Sequence, residues 1–310
     1  APLSPLLFCR LSLWRRSRAS IVAGRSEMPG GPTAFVLAGG GSLGAVQAGM
    51  LLALTEAGVR PDIILGSSVG ALNAAFFAGA PDAAGAARLA EIWCGLRRSD
   101  VFPFSPSRLL GILRRTDSLV DPAALRHLIA THLPFARLEE ARLPLHVMAT
   151  DPQGLSVPLS QGPAIEAILA SAAIPGIFPP VTIDGRELMD GAVAANTPLR
   201  MAVKFGARRI IVLPTGYACA LEGPSHGAIA RMLHAVTLLI AWQLMHEIDT
   251  MPEDVIVHLA PALCPLDVSP ADFTASRQLI AQARSRTAAW ITAGGLTRRA
   301  KSRELSAHHH

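Results

Sequence analysis

The chain is poor in charge, in cysteine and in long apolar runs, and each scarcity closes off a class of function. Only 16% of its 310 residues are charged and half are hydrophobic, so a sizeable core is available and disorder is excluded for most of the chain. The four cysteines, Cys9, Cys94, Cys219 and Cys264, are scattered, with no C-x-x-C and no zinc-ligand spacing. We read them as reduced thiols of a cytoplasmic protein. No apolar run approaches the ~20 residues of a membrane span. The longest, Ala235–Trp242, has eight residues including Thr237, inside a helical pattern with His234, Gln243 and His246. It is expected to be a buried core helix, and peripheral membrane contact stays open.

A basic nucleic-acid face is also missing, although the net charge is +5. Residues 1–31 hold five Arg and one Glu, and residues 297–310 hold three Arg, one Lys and one Glu, which leaves −2 for 32–296. The body is near neutral, so the excess belongs to the two ends and no nucleic-acid partner is expected. We read 1–31 as a basic extension outside the fold, ahead of a start at Met28, in preference to a targeting segment. Residues 32–296 are expected to form one domain, and 297–310 a basic tail ending in a tag remnant, His308–His310.

Within the body, strand-like and helix-like segments alternate. Strands are expected at Ala34–Ala38, Asp62–Leu65, Leu145–Thr150, Arg209–Leu213 and Asp254–Leu259. A hairpin of Val181–Ile183 and Glu187–Met189 turns on Asp184-Gly185. Helices are expected at Ser42–Ala57, closed by Gly58, at Val69–Ala78 and Asp82–Leu96, and at Ala164–Ala173, stopped by Pro175. Two more cover roughly 226–249 and 270–293. This alternation predicts an α/β fold of three layers, α/β/α, around a mostly parallel sheet. Residues 97–122 are basic, apolar and broken by Pro103, Pro106 and Pro122. A lid or lipid-contacting surface and a surface helix with inward leucines both fit them, and the packed helix is preferred.

The first strand runs into Gly39-Gly40-Gly41, and Gly39, Gly41 and Gly44 match G-x-G-x-x-G, the spacing of a dinucleotide loop. That fold needs an acid at the end of the second strand to hold a ribose. Asp62 lies at the start of that strand, and its end reads Gly66-Ser67-Ser68-Val69-Gly70. G-x-S-x-G between a strand and a helix makes a nucleophile elbow, with Ser68 at its centre and Gly66 and Gly70 allowing backbone to approach closely. Loops of adjacent parallel strands lie side by side. The glycine loop would then aim N–H groups at an acyl oxyanion, with Val69 N–H contributing.

A base is harder to find. None of the histidines lies in a catalytic motif, and His258, near a strand end, is the best triad candidate if a triad exists. Among carboxylates, Asp184-Gly185 is accounted for by its hairpin. Asp190-Gly191 ends a strand and enters the small residues Ala192–Ala195, which suits a crowded site.

GGGSLGA at 39–45, GSSVG at 66–70, ASAAIPGIFPP at 170–180 and DGAVAANTP at 190–198 together resemble the patatin-like phospholipase family. The resemblance spans about 34–214, and Ala192 departs from the family's usual second glycine. It implies a patatin-like fold, a Ser68–Asp190 dyad, an oxyanion hole from Gly39, Gly40, Gly41 and Val69, and a site wall including Pro175. It implies cleavage of a lipid or other acyl ester with no metal or cofactor. Two other readings remain: a catalytically silent lipid-binding homologue, and a nucleotide-binding protein using the 39–44 loop.

Overall fold

The computed structural model describes residues 31–103, 118–216, 228–263, 268–269 and 272–302. Most of the N-terminal extension, the centre of the 97–122 insertion and the end of the tail lie outside these residues.

The sheet explains its own order. β1 (Thr33–Leu37), β2 (Ile63–Ser67), β3 (Leu145–Thr150), β7 (Arg209–Leu213) and β8 (Ile256–Leu259) are parallel, in the order β3-β2-β1-β7-β8. Their residues are buried on both faces, as near-continuous Ile, Val and Leu runs require. Three antiparallel strands complete the sheet at the β3 end: β4 (Ser156–Leu159), β5 (Val181–Ile183) and β6 (Arg186–Asp190). The β5–β6 turn is the expected one, Asp184-Gly185, with φ of 51° and 73°. β4 was not expected, because Pro158 and its short length mask a strand pattern.

Helices cover both faces. One layer contains α1 (Gly44–Glu56), α2 (Val69–Gly79), α3 (Ala83–Gly95), α4 (Ala123–His132), α5 (Ala164–Ser171) and α8 (Ser276–Thr292). The other contains α6 (Leu199–Lys204) and α7 (Ala228–Asp249). The result is a three-layer α/β/α fold with a mostly parallel centre. Residues 298–300 continue along the sheet edge, where Ala300 N–H donates to Val257 O at 2.7 Å.

Three local differences have physical causes. α5 ends at Ser171, before Pro175, because the end of β6 takes its free carbonyls: Gly191 N–H bonds Ser171 O, and Asp190 N–H bonds Ala173 O. α1 is preceded by a 3-10 turn, Gly41–Leu43, in which the glycine loop coils into the helix. The Ala235–Trp242 run is not a buried core segment: Leu239 and Trp242 are 70% and 69% exposed. α7 is longer than the sheet it covers, and at its C-terminal end Leu244 and Ile248 reach the core.

Candidate active site

β3 has one edge occupied by β4. Its other edge is shared: β2 pairs up to Ser67↔Met148, and β6 takes over at Asp190↔Ala149. Where β2 leaves the sheet at Ser68, β6 fills the vacated edge, so its last residue arrives beside the elbow. Ser68 Oγ donates to Asp190 Oδ2 at 2.7 Å, and both residues are buried.

The elbow is strained. Ser68 has φ 54° and ψ −126°, a conformation that costs ~1–3 kcal/mol and survives only where surroundings impose it. They do so here through two glycines. A Cβ on Gly66 would stand 2.3 Å from Gly70 O, and one on Gly70 would stand 2.3 Å from Leu37 O. Ser68 N–H donates to Ser171 Oγ at 2.9 Å, and Ser67 Oγ donates to Ala195 O at 2.6 Å. These bonds fix the turn from both sides.

Asp190 is held as tightly. Its Oδ1 accepts Ala192 N–H at 2.8 Å, and its carbonyl accepts Thr150 Oγ1–H at 2.8 Å. Thr150 Oγ1 also accepts Ala194 N–H at 3.1 Å. Burial pushes the Asp190 carboxyl up from 3.8 to about 6, while the bonds from Ser68 and Ala192 pull it partly back. A carboxylate of that strength is a better proton acceptor at neutral pH than an exposed aspartate.

The glycine loop faces the same point. A Cβ on Gly39 would lie 2.6 Å from Asn196 Oδ1 and 3.2 Å from Ser68 Cβ, and one on Gly40 would lie 2.1 Å from Thr215 Oγ1. Gly39 N–H already donates to Asn196 O at 3.2 Å, whereas the N–H groups of Gly40 and Gly41 have no hydrogen-bond acceptor among the described residues. Val69 is the first residue of α2, where an N–H has no acceptor inside its own helix. The N-termini of α1's leading turn and of α2 thus lie together beside Ser68, and such helix ends favour negative charge.

An apolar pocket opens from Ser68, Val69 and Gly41, walled by Leu72, Trp93, Leu128, Phe178 and Phe273. Phe102 stacks on Phe178 with ring centroids 5.6 Å apart, and Trp93 stacks on Phe273 at 6.1 Å. The described ends of the 97–122 insertion frame it: Leu119 and Val120 donate to the carbonyls of Gly176 and Ile177.

A buried polar chain braces the loops from behind. Trp93 Nε1 donates to Asn73 Oδ1 at 2.8 Å, and Asn73 Nδ2 to Gln47 Oε1 at 2.8 Å. Gln47 Nε2 donates to the carbonyls of Ala38 and Leu213 at 2.8 and 2.9 Å. Sequence reading passed over Gln47, Asn73, Thr150 and Ser171. The available signal was a single polar residue in the buried helices GAVQAGMLLAL and VGALNAAFFAG.

Two expected alternatives lose their footing. His258 sits on β8, beyond β1 and β7 from the elbow, and is buried against Arg209 Nε (3.2 Å) and Arg298 O (2.8 Å). It is a structural histidine. Asp62 accepts Thr33 N–H at 2.7 Å at the amino end of the sheet, opposite the glycine loop, where no ribose on that loop could reach it.

The family model for Patatin-like phospholipase matches residues 35–203. Over 192 residues the chain is 29% identical to the patatin-like phospholipase domain-containing protein 7 of Rattus norvegicus, covering 61% of this chain and 14% of that one. Over 200 residues it is 33% identical to an uncharacterised NTE family protein of Mycobacterium tuberculosis, covering 63% and 51%. The chain thus spans about half of that relative's length and far less of the rat protein's. Among solved structures it is similar to human GIVD cytosolic phospholipase A2 in complex with methyl gamma-linolenyl fluorophosphonate, at 13% identity and TM-score 0.48, covering 90% and 59%. It is also similar to VipD from Legionella pneumophila, at 14% and 0.40, covering 84% and 67%.

Proposed function

The chain belongs to the patatin-like phospholipase family, and from that premise we propose that it is a serine acyl hydrolase cleaving carboxylic esters of lipids. The observation that carries this reading is the 2.7 Å bond from Ser68 Oγ to the buried Asp190 carboxylate.

In this mechanism Asp190 Oδ2 takes the Ser68 proton as Oγ attacks the ester carbonyl carbon. The carbonyl oxygen becomes an oxyanion between the N–H groups of Gly40, Gly41 and Val69. Collapse breaks the ester C–O bond, and the departing alcohol takes the proton from Asp190. Water then gives a proton to Asp190 and attacks the acyl-serine. The second collapse releases the carboxylic acid and returns the proton to Ser68 Oγ. The apolar pocket beside Ser68 receives the acyl chain, which is why a lipid ester fits better than a short polar one.

A lipid panel of phospholipid, lysophospholipid and neutral acyl esters, assayed beside Asp190→Asn, tests dyad and substrate class together. The expected result is hydrolysis of at least one long-chain ester, lost in the variant. Equal rates for the two proteins would overturn the reading, and a folded wild type inert on every ester would favour a silent lipid-binding homologue.

A further inference from the structure

α7 spans 22 residues, about 33 Å at 1.5 Å per residue, whereas β1 and β7 have five residues each, about 17 Å. It links two parallel strands, β7 and β8, and so returns from the carboxyl edge of the sheet to the amino edge. Its N-terminal half therefore stands at the edge where Ser68 lies. Packing follows the same division. Leu244 and Ile248 are buried in the core of the α6–α7 layer, and Met251 just beyond the helix joins them. Gln243 marks the crossing of the rim: its Nε2 donates to Ala194 O at 2.6 Å, two residues past the Ala192 that holds Asp190.

N-terminal to Gln243 the helix turns its apolar side outward. Val236, Leu238, Leu239 and Trp242 are 46%, 45%, 70% and 69% exposed, and Val193, beside the Gln243 anchor, is 54% exposed. A surface helix ordinarily does the opposite. Leu238 and Trp242 are one turn apart, as are Val236 and Leu239, so the four make one patch. From Gly223 to His246 the sequence contains no Asp or Glu, and exposed Arg231 lies on the patch's side of the helix. Among the described residues no helix is long and apolar enough to cross a membrane.

We propose that this outward face of α7, together with Val193, is a docking surface for the headgroup layer of a phospholipid bilayer, anionic bilayers above all. An apolar helix face with Trp and Arg, free of acids, lies naturally at the boundary of headgroups and acyl chains. Position favours the same occupant: the patch shares a rim with a site that, on the reading above, takes its ester from a bilayer. A second copy of the chain fits less well, since five side chains fall short of the ~20–30 residues a side in a standard protein interface. Docking here would hold the Ser68 rim against the source of substrate.

The test uses the full chain carrying Ser68→Ala, so that vesicles stay intact and docking is read apart from turnover. It is floated with vesicles of phosphatidylcholine alone and of phosphatidylcholine mixed with phosphatidylglycerol. We expect flotation with the mixed vesicles, and at least about a tenfold loss when Leu239→Glu and Trp242→Glu are added. On intact Ser68 the same pair should keep kcat/KM for a soluble short-chain ester, which also verifies folding. Brominated acyl chains should quench fluorescence in the Ser68→Ala protein and less in its Trp242→Phe version. No flotation of the parent, equal flotation of the charged variant, or a dimer that the two substitutions split would overturn the proposal. An enzyme inert on all esters that still floats through this face would sink the hydrolase reading and leave the docking surface standing.

Discussion

Ser67 and Asp190 pair with consecutive residues of one strand edge, Met148 and Ala149 of β3. A parallel strand leaves that edge and an antiparallel one enters it, so residues separated by more than 120 positions meet at one step of the ladder. The positions of Ser68 and Asp190 are therefore set by backbone pairing, not by flexible side chains reaching across a cleft.

The first prediction follows from that fixed geometry. Asp190→Asn keeps an acceptor for Ala192 N–H but cannot take a proton, and Ser68→Ala removes the nucleophile. Each should lower kcat/KM by about three orders of magnitude or more, with circular dichroism unchanged. Steady-state hydrolysis of a p-nitrophenyl ester measures the loss.

A second prediction concerns pH. The Asp190 carboxyl titrates near 6 in the fold, against 3.8 ordinarily, because burial disfavours its charge. In the proposed mechanism it accepts a proton and must be ionised, so kcat/KM should rise through pH 6 and level off above pH 7. Stability has the opposite sign. The fold binds this proton more tightly than the unfolded chain, so the favourable contribution is complete below pH 3.8 and lost as pH rises through 6. Asp190→Asn should consequently melt at or above the wild-type temperature at pH 8, checked by a thermal scan.

Gly39 and Gly40 of the glycine loop leave no room for a side chain. Gly39→Ala would push a methyl group against Asn196 Oδ1 and the Ser68 methylene. We expect kcat to fall at least about a hundredfold while KM changes little, since in the proposed mechanism the loop acts on the transition state. Full kinetics on one soluble ester separate the two terms.

The polar chain behind the loops should matter for stability before catalysis. Asn73→Leu leaves Trp93 Nε1 and Gln47 Oε1 without their partners in a fully buried setting. Orphaning such groups costs about 1–3 kcal/mol each. A clear drop in urea midpoint with an unchanged slope is the expected result.

Much of this was legible in the sequence, and for identifiable reasons. Gly66, Ser68 and Gly70 stand out because the elbow needs close backbone approach, which only glycine allows. The five parallel strands stand out because burial on both faces leaves apolar runs. Asp190 was suggested by the small residues after it, whereas its meeting with Ser68 depends on β6 replacing β2 on β3. That is a long-range pairing without a local signal. Thr150 and Ser171 were illegible for the same reason: each is an ordinary polar residue whose partner lies far along the chain, 40 positions away for Thr150 and 103 for Ser171. The α7 run was misread because hydrophobicity alone cannot reveal that a helix outgrows the sheet beneath it.

The central claim, that Ser68 is an activated nucleophile, is tested most directly by treating the folded protein with a fluorophosphonate and locating the adduct by peptide mass spectrometry. The account predicts one adduct, on the peptide containing Ser68, slowed sharply in Asp190→Asn and absent in Ser68→Ala. Labelling that persists in Ser68→Ala, or folded wild-type protein that takes up no label, would contradict it.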